Sequence, residues 1–251
     1  MATAIPLRTQ LLRLALPLVR THGFTREALS QAAVGLPNHV QPLPDSAVSS
    51  LFGDGDEARR TLIRAWLDEG VEGIKELRRR REVLERMELD MRLQQQQETQ
   101  PKAPFSQVQT QPLESERIDI RHVLRARLAY NEPVLAYLPE AFALLASPVS
   151  GLPPLDPTPA LNHAATVASE ACYAAGEKTI LMDWYTRRAT IAAIYTAAEL
   201  HQLVSPPTAS AFLDTLLAES KSLGKKLDDV GSYSNYIFRS WAGILKSSGA
   251  F

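Results

Sequence analysis

Apolar residues return along this chain at steps of three and four, and no stretch alternates with period two for long. That rhythm belongs to helices packed through one face, so the expected class is all-α. Leu7, Leu11, Leu14 and Leu18 form the stripe of a first helix, which runs into Thr21, His22, Gly23 and Phe24 as a stop and turn. A second helix is expected from Thr25 to Val34, closed by Gly35 and Pro37. A short third helix follows from Asp45 to Phe52 with Asp45 as its cap, and the turn from Gly53 delivers Asp56 as the next cap. From Glu57 to about Arg92 the spacing of Leu62, Trp66, Val71 and Ile74 predicts one long helix.

The pattern then breaks. Residues 93–113 carry eight glutamines (Gln94 to Gln97, Gln100, Gln107, Gln109 and Gln111) with Pro101, Pro104 and Pro112, and little there repays ordering entropy, so a flexible insert is expected. Helical signals resume at Ile118 and stop near Asn131, and Pro133 is expected to open the next helix through Leu145. Prolines 148, 153, 154, 157 and 159 mark a loop. An alanine-rich helix spans about Ala160 to Ala175, and further helices fit Asp183 to Leu203, Thr208 to Leu223 and Asp228 to Lys246. Alanines 160, 164, 165, 168, 171, 174 and 175 either let helices pack closely or leave room for a ligand.

Composition narrows the function more than the fold. At 251 residues with 45% hydrophobic content the chain can bury a substantial core, and a net charge of −1 predicts no general affinity for polyanions. A single cysteine, Cys172, excludes an internal disulfide and points to a reducing compartment. No apolar run reaches the ~18–20 residues of a transmembrane helix, so membrane contact is expected to be peripheral. Arg8, Arg13 and Arg20, without an acidic neighbour, fit a targeting segment, but the leucine stripe on the same residues favours a structural first helix. Any transit peptide is then expected upstream of this chain.

Chemistry is sparse. Histidines 22, 39, 122, 163 and 201 are scattered, with no pair at helical ligand spacing, and no Glu-x-x-His pair exists for a di-iron site. There is no glycine-rich phosphate loop and no Gly-x-Ser-x-Gly elbow. No catalytic residue, metal site or cofactor is therefore predicted, and the expectation is a protein that is not an enzyme. Binding features stand out instead. The helix opening at Asp183 puts Ile191, Ile194, Tyr195 and Ala198 on a core face, which leaves Trp184, Tyr185, Arg187 and Arg188 unexplained. Two cations sit near a helix N-terminus, where the macrodipole disfavours them, and aromatics beside arginines dominate binding hot spots. The alternative is a partly buried aromatic anchor flanked by solvated arginines. In the terminal segment, Tyr233, Ile237, Trp241, Ile244 and Leu245 share a stripe with Phe238 on its margin. Such a helix either docks on its own domain or lies at a membrane interface.

The string Trp184-Tyr-Thr-Arg-Arg-Ala, followed by Ala-Ala-Ile-Tyr195 and Glu199-Leu200, resembles the signature of the ubiquinone-biosynthesis accessory family of TetR-like lipid-binding proteins. The glutamine-rich insert gives it a fungal look. Leu11 through Trp66 also resembles the opening of a TetR-type regulator. The resemblance implies a TetR-like helical bundle: a helix-turn-helix unit over 1–68 that continues into the connecting helix 57–92, the insert 93–113, a ligand-binding and dimerisation domain over 114–223, and an amphipathic lipid helix over 228–246. It implies a mitochondrial, matrix-side protein peripheral to the inner membrane, a homodimer that holds an isoprenoid quinone or phospholipid. That lipid would be presented to the demethoxyubiquinone hydroxylase of the ubiquinone biosynthetic complex. Trp184, Tyr185, Arg187 and Arg188 would then face the partner, and Tyr233, Ile237, Phe238, Trp241, Ile244 and Leu245 the membrane and lipid. The other reading is a ligand-responsive TetR-type transcription regulator. Against it, residues between Glu27 and Glu57 include no lysine or arginine, the third helix offers base edges only Ser46, Ser49 and Ser50, and the turn from Gly35 to Pro44 is stretched. Nucleic acid is accordingly not an expected partner.

Overall fold

The computed structural model describes residues 6–37, 39–98, 118–148, 155–177 and 182–223. Among them, nine α-helices and three short 3-10 turns account for the regular structure: α1 (Leu7–His22), α2 (Arg26–Gln31), α3 (Asp45–Phe52), α4 (Asp56–Glu98), α5 (Ile120–Asn131), α6 (Leu138–Ala146), α7 (Thr158–Ala174), α8 (Met182–Val204) and α9 (Ala209–Leu223). The arrangement is an all-α bundle of the TetR-like type. The terminal stripe from Tyr233 to Leu245, including Ile237, Phe238, Trp241 and Ile244, lies outside the described residues.

Two apolar cores share α4. The first gathers Leu11 and Val19 of α1, Phe24, Leu29 of α2, Val48 and Phe52 of α3, and Leu62 and Trp66 of α4, with Leu138 and Phe142 of α6 closing it. The second takes over one turn further along α4. There Val71 and Ile74 meet α5 (Val123, Leu124, Leu128), α7 (Val167, Ala168, Ala171), α8 (Ile191, Ile194, Tyr195, Ala198) and Leu213 of α9. Ala164, Ala168, Ala171 and Ala174 of α7 are buried in this contact, where their small size serves close approach of α4 and α8, whereas Ala165 is exposed and Ala160 half-buried.

Several local expectations shift for identifiable reasons. Leu7 is exposed, and α1 buries Leu11, Ala15, Leu16 and Val19 instead of a pure leucine stripe. Asp45 does not cap α3; Pro44 holds that position, and the Asp45 carboxylate in the first turn pairs with Arg26 at 2.7 Å. Asp56 likewise is the first residue of α4 and pairs with Arg59. Pro133 opens only the 3-10 turn Glu132–Val134, and α6 starts later, with Pro139 in its first turn. Both prolines are tolerated because first-turn N–H groups have no intrahelical acceptor. Helix α4 continues through residues 93–98, so the glutamines from Gln94 to Gln97 extend the helix; residues 99–113 lie outside the described residues.

Candidate partner-binding site and a buried polar network

The first turns of α8 meet the end of α7. Gly176, at φ +70°, turns the chain there, and the Glu177 N–H donates to the Cys172 carbonyl to close α7. The turn places Glu177 against Arg187, whose guanidinium donates to both carboxylate oxygens at 2.8 and 3.1 Å. The cation that the helix dipole disfavours is therefore neutralised locally. Arg188 points inward and is only 8% exposed. Its guanidinium lies 3.7 Å from the Trp184 ring centroid and 4.8 Å from that of Tyr173, and it donates to Ser169 Oγ. Trp184 stands edge-on to Tyr185 with centroids 4.6 Å apart, and Tyr185 is 68% exposed. Of the four residues expected on a partner-facing surface, Tyr185 faces solvent, Trp184 and Arg187 are partly covered, and Arg188 is buried beneath the aromatics. The side chain of Asp183 lies outside the described residues.

A second polar constellation sits inside the bundle, where helical periodicity predicts only core. Arg127 of α5 is 1% exposed and donates to Asn131 Oδ1 at 2.7 Å. Asn131 passes a bond on to Glu199 Oε1 at 2.9 Å, and the Tyr195 hydroxyl donates to the same oxygen at 2.6 Å. Arg127 also approaches His163 Nε2 at 3.2 Å. A guanidinium can only donate, so Nε2 is the acceptor and the His163 proton resides on Nδ1. Burial drives the His163 pKa down to about 4, and the same cause drives Tyr195 well above its ordinary value. The helical spacing of Arg127 with Asn131 and of Tyr195 with Glu199 was the available signal; both pairs lie on faces that read as apolar.

This network borders a narrow cleft between Leu67, Phe142, His163, Thr196 and Leu200. Cys172 is buried with its thiol pushed up to about 11, chiefly by desolvation, which leaves it protonated and unreactive at neutral pH. Among the described residues, no three His, Cys, Asp or Glu side chains gather as a metal-ligand set. No helix of the described residues is long and apolar enough to cross a membrane.

Sequence comparison gives this surface a context. The family model described as COQ9 matches residues 158–224, which cover α7, α8 and α9. The bovine ubiquinone biosynthesis protein COQ9, mitochondrial, is 28% identical over 233 residues, 90% of this chain and 61% of its own length. The counterpart from Schizosaccharomyces pombe is 30% identical over 128 residues, 49% of each chain. That of Drosophila melanogaster is 32% identical over 122 residues, 47% of this chain and 36% of its own. The chain thus spans less than two thirds of the length of these relatives. It is a relative of the COQ9 ubiquinone-biosynthesis proteins, as the Trp184 to Leu200 signature indicates.

Proposed function

We propose that this relative of the COQ9 proteins acts in mitochondrial ubiquinone biosynthesis as a non-catalytic accessory protein. It holds isoprenoid quinone intermediates at the matrix face of the inner membrane and presents them to the demethoxyubiquinone hydroxylase. The observation that carries this reading is the aromatic pair at the start of α8, Tyr185 facing solvent and Trp184 partly covered beside it, within the segment the family model matches. Hot spots of this composition concentrate binding energy in a few residues. The apolar stripe Tyr233, Ile237, Trp241, Ile244 and Leu245 supports a reversible membrane contact, and homodimerisation follows the family.

The regulator reading finds less support. Ser49 Oγ accepts from Arg26 at 2.8 Å, and Ser50 donates to the Ser46 carbonyl at 2.9 Å, so two of the three α3 serines are spent on the protein itself. Helix α3 carries no cation for phosphates.

The test is titration of the purified protein with the purified hydroxylase. Trp184→Ala should weaken binding by roughly 30-fold or more, the scale of a hot-spot truncation, with far-UV circular dichroism unchanged. Wild-type affinity in a folded Trp184→Ala protein would remove the basis for the docking surface.

A further inference from the structure

The far half of α4 keeps the pattern of a packed helix after its core has ended. Among the described residues, the second core takes no α4 residue beyond Leu77. Yet Leu84, Met87 and Met91 follow Leu77 and Arg80 at alternating steps of three and four, the spacing of a seam between two helices. Leu84, Met87 and Met91 are each more than half exposed, as is Val83 on the margin of their stripe. Charge along the same stretch is divided. Residues 78–81 are four consecutive arginines, whereas Glu82, Glu85, Glu88 and Asp90 follow with Arg86 as the one cation among them.

We infer that this stretch of α4 is a self-association surface, occupied by the same stretch of a second copy running antiparallel. About a twofold axis, Leu84 of each copy meets Met87 of the other, so the contact is isologous. The same register lays Arg80 beside Met91 of the second copy, next to its Asp90 and within one turn of its Glu88. The arginine-rich end of each stretch thus lies against the acidic end of the other. A parallel pair would instead put Arg80 against Arg80, and like charges in a seam oppose pairing. Arg80 can turn to a new carboxylate: its side chain is 70% exposed, and its 3.3 Å ion pair with Glu76 is of the surface kind that contributes little. A phospholipid surface would accept the apolar stripe but not Glu88 and Asp90 beside it, since anionic headgroups repel them. The surface is separate from the dimerisation domain expected over 114–223, and its fate does not bear on the accessory reading.

Two apolar layers make a short seam, so a weak contact with Kd of about 10–100 µM is expected. In sedimentation velocity, a species of twice the mass seen at about 1 µM should therefore grow in as the full chain is concentrated to about 200 µM. Met87→Glu should weaken that step about tenfold or more, because it puts a charge in the seam. Arg80→Glu alone, and Glu88→Arg/Asp90→Arg alone, should each weaken it to a similar degree, because like charges then face each other. An equimolar mixture of those two variants should recover wild-type affinity within about threefold, since its cross-pairs are again of opposite sign.

Absence of the doubling in wild-type protein would overturn the inference. So would doubling that Met87→Glu leaves intact, or a mixture that associates no better than its components, which would refute the antiparallel register. If Met87→Glu leaves the mass unchanged but abolishes flotation with phosphatidylserine-containing vesicles, the stripe belongs to the membrane. If it lowers the melting temperature with the mass unchanged, the chain's own residues cover the stripe. Either result sinks the second copy as occupant. Should Met87→Glu fail to fold, the mixture of charge variants decides alone.

Discussion

His163 is a histidine that the fold cannot readily charge. Its Nε2 faces a guanidinium at 3.2 Å, its surroundings are desolvated, and burial lowers its pKa from 6.5 to about 4, against a smaller upward pull from Glu199. The unfolded chain therefore binds a proton near pH 6.5 that the native state refuses until about pH 4. Stability from this group is complete above pH 6.5 and lost as pH falls from there toward 4, at up to roughly 1.4 kcal/mol per unit. Urea unfolding at pH 7.5, 6 and 5 should show that slope, and His163→Gln should flatten it relative to wild type. Equal slopes in the two proteins would mean that the ring stays solvated. Nothing in the spacing of five scattered histidines foretells this behaviour, because it depends on which of them ends opposite Arg127.

Helix α4 shows at the level of one element what was legible in the chain and what was not. Its apolar face was: Leu62, Trp66, Val71 and Ile74 are all buried, since local periodicity alone decides which side of a long helix turns inward. So were the core face of α8 and the existence and order of α1 to α9. Contacts across the fold were not legible, among them the cover over Arg188, the ion pair of Asp45 and the room kept at Gly70. The two helical glycines of α4 separate propensity from packing. Alanine at either should gain about 0.5–1 kcal/mol of helix propensity. A Cβ at Gly73 meets nothing within 4 Å, whereas one at Gly70 would lie 2.8 Å from Arg127 Nε and 2.9 Å from its Cζ. Arg127 is held by Asn131 and cannot move aside without breaking buried bonds. Gly73→Ala is therefore expected to raise the melting temperature. Gly70→Ala should lower stability by roughly 1–3 kcal/mol, the usual cost of overpacking. A stabilised Gly70→Ala protein would show that Arg127 can be displaced.

At the scale of the molecule, the two cores meet where α4 passes between them, and the polar network is their joint. Trp66 belongs to the first core and lies 4.5 Å from Tyr130, which stands 5.5 Å from Arg127. Through Asn131 the contact continues to Glu199 of α8, and Gln202 donates to the Leu128 carbonyl at 2.8 Å. A buried charged cluster contributes little net stability against an apolar substitute, but removing one partner leaves the other charge desolvated, at a cost of roughly 3–5 kcal/mol. Arg127→Ala removes the cation and the stack on Tyr130 together. Because these contacts join the cores, the loss should reach both. Native-state hydrogen exchange in low denaturant should show the slowest amides of α1 and of α8 losing the same protection, as in a domain that unfolds as one unit. Protection lost from α7 to α9 alone, with α1 to α3 unchanged, would instead mean that the helix-turn-helix unit stands independently. The docking platform at the start of α8 would then rest on half of the molecule.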